Sequence, residues 1–205
     1  SYPVVAEIYP GPQISVTNTD VAESGFGGMR GDGTGTVAVS GVPVGASITK
    51  AFLWWNGPTN STDPAANATV TFNGTSVTGT NIGISGDNNW GFQNSQSYRA
   101  DVTSLVTGNG TYSLANFVKV DADINGVALI VFYDNGNSSD DRNVVLWNGN
   151  DSNCLAGGAY RVRPAGSFGS GLPLKSDTCQ SVGRIVHVKR LAATLMLCRT
   201  IVTKL

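Results

Sequence analysis

Between residues 36 and 147 the chain is written as short runs of strand-forming residues, each stopped by a turn signal before a helical period could establish itself. The runs cover residues 36–44, 46–55, 68–72, 76–80, 98–101, 111–117, 127–133 and 143–147. Asn73-Gly74, Gly108-Asn109-Gly110, Asn125-Gly126 and Asn148-Gly149 punctuate them. Asn-Gly between alternating runs favours two-residue hairpin turns, because both residues tolerate the positive φ such turns need. Only the stretch DVTSLV (101–106) suggests a helical turn, with Asp101 placed to cap it. No helical pattern before residue 185 is long enough to cross a parallel sheet. The expected fold is therefore all-β, a β-sandwich or jelly-roll-like domain.

Within this pattern, residues 127–133 (VALIVFY) predict a strand buried on both faces. The patch Phe52-Leu53-Trp54-Trp55 ends another central strand. Successive strand residues point to opposite faces, so one of Trp54 and Trp55 is expected in the core and the other exposed or under a loop. Residues 1–23 contain two further strand-like runs, 4–9 and 13–17, separated by Pro10-Gly11-Pro12. They predict an extended arm preceding a domain over residues 24–160. The glycine-rich stretch 25–35 (GFGGMRGDGTG) lacks the Gly-Lys-Ser/Thr ending of a phosphate loop and reads as a loop between strands.

Charge divides the chain. Residues 1–160 hold 5 basic and 13 acidic residues, a net of −8; residues 161–205 hold 8 basic and 1 acidic, a net of +7. The second part is either a basic docking tail or a stretch whose shift in composition resembles a change of reading frame. Only 13% of residues are charged, about half the usual share. Asn, Ser, Thr and Gly supply the polarity instead, and such a surface tolerates close neighbours. The acidic body argues against nucleic acid. No apolar run reaches the length of a membrane span. The start, Ser1-Tyr2-Pro3, is expected to be a mature terminus or a boundary of the expressed piece.

Catalytic constellations are absent from this reading, and no enzyme is expected. The one histidine, His187, sits in a strand-like run, and the two glutamates, Glu7 and Glu23, lie near the start. Calcium is the one cofactor the sequence raises. Asp121-Ala-Asp123-Ile-Asn125-Gly126 opens like a calcium loop, but the closing glutamate position holds Phe132. A second oxygen-rich stretch runs over residues 134–141. Trp90, in a polar loop, is the candidate for stacking on a glycan. Six Asn-x-Ser/Thr sequons are candidate glycosylation sites: Asn60, Asn67, Asn73, Asn109, Asn137 and Asn150. Of the three cysteines, Cys154 and Cys179 are the most plausible disulfide pair.

The segments ITKAFLWWNG (48–57), YRADVTSLVTGNGTYSLANF (98–117), INGVALIVFYDN (124–135) and RNVVLWNGN (142–150) carry a resemblance. Over about residues 48–150 the chain resembles secreted and cell-surface β-sandwich domains of bacterial and archaeal adhesin-like or matrix proteins. That resemblance implies an extracellular module and transfers no catalytic residue. Two functions are expected from these features together. The first is a structural subunit of an extracellular filament or surface layer, whose N-terminal arm adds as a strand to another copy through Val5, Ile8, Ile14 and Val16. The second is an adhesin or glycan-binding module, calcium-dependent or not.

Overall fold

The computed structural model describes residues 14–85, 91–148, 150, 186–187 and 201–204. Twelve strands are found among them: β1 (Ile14–Phe26), β2 (Gly35–Val39), β3 (Ser47–Thr59), β4 (Thr69–Phe72), β5 (Thr75–Thr78), β6 (Thr80–Ser85), β7 (Asn94–Asp101), β8 (Gly110–Ala115), β9 (Gly126–Asp134), β10 (Arg142–Trp147), β11 (Val186–His187) and β12 (Ile201–Lys204). The fold is all-β and sandwich-like, as the turn-punctuated pattern predicts. The DVTSLV stretch forms one 3-10 turn, Thr103–Leu105, and the Asp101 carboxylate accepts the Thr103 N–H at 2.9 Å.

The strands form two sheets. One has the order β11-β12-β10-β1-β9-β3-β7-β6, the other β2-β8-β4-β5. Between them lies the main core. Leu53 and Trp55 of β3, Tyr98 of β7, and Leu129 and Val131 of β9 meet Val37, Phe72, Tyr112 and Leu114 of the smaller sheet. The other face of the large sheet carries a second apolar cluster: Val16, Phe52, Trp54, Ala128, Ile130, Phe132, Val144 and Leu146. Two clusters explain why β9 is buried continuously from Gly126 to Tyr133. They also correct the expectation for the tryptophans. Trp54 and Trp55 do point to opposite faces, yet they are only 0% and 1% exposed, because each face has its own core.

The second cluster requires the large sheet to curl. In the strand order, β10 and β3 are separated by β1 and β9, so a flat sheet would hold them ~14 Å apart. Yet Trp54 Nε1 donates to Asn148 Oδ1 at 3.0 Å, and Asn56 Nδ2 to Asn150 Oδ1 at 2.8 Å. The segment leaving β10 therefore folds back over β3 and closes the sheet into a half-barrel. Asn56, Ser95, Ser97 and Asn150, all buried, form the polar seam of this closure. Their hydrogen bonds are what make so many buried amides and hydroxyls tolerable.

Two boundaries differ from the sequence expectation. The run over 76–80 splits at Gly79, with β5 in the small sheet and β6 in the large one. A Cβ on Gly79 would lie 2.6 Å from the Trp55 ring, so the crossing needs glycine. More consequentially, the N-terminal arm does not extend to residue 23. β1 is an internal strand, paired with β10 over Ile14–Thr19 and with β9 over Asp20–Phe26. Val16 is 8% exposed within the second cluster, and Ile14 packs against it. Ile14 and Val16 thus serve their own domain rather than a neighbour, and the expected boundary at residue 24 falls inside β1. An alternating run separated from its partners by more than a hundred residues carries no local sign of being internal. Val5 and Ile8 lie outside the described residues.

Candidate functional site

β9 and β10 are both antiparallel to β1 but lie on opposite sides of it. The loop 135–141 that joins them must therefore cross over β1. It does so where β1 is irregular: the register shifts between Val16 and Thr19, and Asn18 has a φ of 50°. The Asn18 N–H donates to Asn143 Oδ1 at 3.3 Å, and the Thr19 hydroxyl to the Tyr133 carbonyl at 3.3 Å. Asn is among the few residues that adopt this conformation readily.

Under the crossover sits Asp20, 5% exposed. Its Oδ1 accepts from Arg142 Nη1 at 3.0 Å, and its Oδ2 from Asn135 Nδ2 at 2.7 Å. Oxygens of Asp20, Asp140 and Asp141 lie within 4.8 Å of one another. Asp141 Oδ1 is buried and unpaired among the described residues. Burial, and then the nearby Asp140 charge, hold the Asp20 carboxyl above its ordinary pKa, with Arg142 opposing them. An oxygen-rich group of this kind has the chemistry of a hard-cation ligand set. Arg142 and Asn135 already engage Asp20, however, and the arrangement is accounted for as a clasp that fixes the crossover to β1.

The other calcium candidate, Asp121, Asp123 and Asn125, already holds a cation of the chain's own. Lys119 places its ammonium among the oxygens expected to bind the ion. Nζ donates to Asp123 Oδ1 at 3.1 Å, to the Ile124 carbonyl at 2.7 Å and to Asn125 Oδ1. The cation of this loop is the protein's own. Asp121 contributes its carbonyl, which accepts the Asn60 N–H at 2.9 Å. Asp123 lies four positions after Lys119, and the acidic spacing by itself gives no sign of the pair. Replacing Lys119 by Met is expected to lower stability by about 1–3 kcal/mol, the range for losing hydrogen bonds to a charged, part-buried group. A thermal melt measures this; an unchanged midpoint would mean that the loop is not held by the ammonium.

The sequons separate into two sets. Asn67 and Asn150 are buried, at 3% and 8% exposure. Asn109 is exposed, but its side-chain amide both accepts from Val42 N at 2.9 Å and donates to Val42 O at 2.8 Å. Asn60, Asn73 and Asn137 are exposed on turns or loops. Trp90, Cys154 and Cys179 lie outside the described residues.

Fold and clasp together define an all-β module with a half-barrel sheet, closed at one end by a polar seam and strapped at its centre by an acidic crossover. The chain belongs to the family described as "Protein of unknown function (DUF3344)", whose model matches residues 14–170. The match begins at the residue where β1 begins. No curated protein and no solved structure matches the chain.

Proposed function

We propose that the protein is a structural subunit of an extracellular filament or surface assembly, joining copies of itself by β-strand addition. The observation that carries this reading is the outer edge of β10. It bears an added strand, β12, from the far end of the chain, in antiparallel register from Val144↔Lys204 to Trp147↔Ile201. A sheet edge offers a row of unpaired N–H and C=O groups, and any extended segment can complete it. In an assembly, the segment before Ile14 of one copy is the donor, and it takes the place beside β10 of the next copy that β12 holds in the single chain. Val5 and Ile8 supply the donor's apolar side chains, and a head-to-tail contact of this kind propagates instead of closing. The low charge of the chain favours such packing. The alternative, a glycan-binding module, rests on Trp90; the paired tryptophans on β3 are committed to the two cores and offer it no platform.

Electron microscopy of the native protein, with and without residues 1–13, tests the proposal. Filaments that disappear with those residues are the expected result. Dispersed particles in both samples would overturn it. The deletion must stop before Ile14, since β1 belongs to the fold.

A further inference from the structure

We propose that Asn137 is an acceptor for an N-linked glycan, and that Asn60 and Asn73 are secondary acceptors, whereas Asn67, Asn109 and Asn150 are not. The inference rests on the extracellular reading above, because glycan transfer to Asn-x-Ser/Thr takes place on exported chains. Six sequons are alike as sequence. What separates them is whether the folded domain leaves room for a sugar and a free amide nitrogen to carry it.

Asn137 meets both conditions. It lies in the crossover loop, and Asn137, Ser138 and Ser139 are all exposed. The Ser139 hydroxyl donates to Asn137 Oδ1 at 2.7 Å, and the Ser139 N–H donates to the same oxygen at 3.2 Å. Both bonds use the carbonyl oxygen and leave the Nδ2 group uncommitted. Donation to that oxygen also polarises the amide, which makes an N–H proton easier to lose. The hydroxyl responsible is the one that defines the sequon. Asn60 is engaged similarly through its oxygen, accepting from Gln93 N at 3.2 Å. Asn73 stands at the tip of the β4–β5 hairpin with a φ of 49°, its side chain exposed.

The other three fail for different reasons. A sugar on Asn150 would have to occupy the seam where its Nδ2 donates to the Ser95 carbonyl at 2.6 Å. One on Asn67 would have to grow from a buried residue, 3% exposed, whose backbone carbonyl accepts from Trp55 Nε1 and whose N–H donates to the Tyr98 hydroxyl. Asn109 would have to break its reciprocal pair with Val42. None of the three proposed acceptors lies on β10, so glycans there leave the proposed acceptor edge uncovered.

In the transfer, the Asn137 nitrogen forms a bond to the anomeric carbon of a lipid-linked oligosaccharide. The bond from that carbon to the lipid pyrophosphate breaks, the pyrophosphate leaves with its electron pair, and the amide gives up one proton. The lipid-linked oligosaccharide is the co-reactant, and no oxidant or reductant is needed.

The test is to express the chain behind a secretion signal in yeast and to release glycans enzymatically in heavy-oxygen water, which marks each formerly occupied Asn. Peptide mass spectrometry of the folded, secreted protein is expected to find the mark at Asn137, with lesser marks at Asn60 and Asn73. Ser139→Ala should abolish the mark at Asn137 alone, and Ser139→Thr should retain it. An unmarked Asn137, or a mark at Asn67 or Asn150 in folded protein, overturns the proposal. A second measurement does not depend on export: the purified folded protein is incubated with a single-subunit oligosaccharyltransferase and lipid-linked oligosaccharide. Modification at Asn137 is expected there too, and its absence overturns the assignment. Modification there with no filaments by microscopy would instead count against the assembly reading alone.

Discussion

A chain beginning at Ile14 should fold and melt cooperatively, whereas one beginning at Val21 should not fold. The shorter deletion leaves every described strand whole. The longer one takes the whole contact between β1 and β10, from Ile14↔Leu146 to Thr19↔Arg142. It also removes Val16 from the second cluster, worth about 1.5–3 kcal/mol for a buried aliphatic side chain. Asp20 goes with it, leaving Arg142 and Asn135 without their carboxylate, a loss of about 1–3 kcal/mol for hydrogen bonds to a charged group whose partner is partly exposed. With the ladder hydrogen bonds added, the total is comparable to the ~5–15 kcal/mol that stabilises a whole domain. Circular dichroism with thermal melting of the two truncations decides the matter. A native-like transition in the longer deletion would mean that β1 is dispensable, and would return residues 14–20 to the role of a detachable arm.

Trp55→Ala is the substitution expected to cost most. Trp55 stacks on Tyr98 at 5.7 Å between ring centroids and meets Phe117 edge-on at 6.4 Å. Its Nε1 donates to the Asn67 carbonyl at 2.9 Å. Emptying such a site costs about 3–5 kcal/mol, and a carbonyl left unpaired adds about 1–3 kcal/mol. The melting point should fall by more than ~10 °C, at about 2–4 °C per kcal/mol for a chain of this size. Trp55→Phe keeps an aromatic ring against Tyr98 while losing the indole N–H and part of the ring volume, so a smaller drop is expected. Equal drops for the two variants would mean that the ring kept against Tyr98 contributes nothing.

Much of this architecture is legible in local sequence. Asn73-Gly74 turns the β4–β5 hairpin, with φ of 49° and 77°, because those residue types accept that geometry at little cost. The Asp101 carboxylate accepts the Thr103 N–H at the start of the short helical turn, although Val102 is the cap residue. The apolar run of β9 announces a strand covered on both sides. Each of these is decided within a few residues, so composition and period suffice.

The candidate site is different in kind. The Asp20 clasp brings together residues more than a hundred positions apart, and the oxygens gathered around Lys119 look, as a linear string, like ligands for an external ion. Exposure separates Asn137 from Asn150, although their motifs are equivalent. What the sequence alone determined is the all-β class, the turn positions and the apolar character of the central strands, all set by local backbone preference and side-chain period. What only the tertiary structure decided is that β1 is internal, that the large sheet curls onto a second core, and which polar groups are already satisfied. Those outcomes depend on long-range strand pairing and burial, and no local pattern encodes which distant partner a strand or a carboxylate will meet.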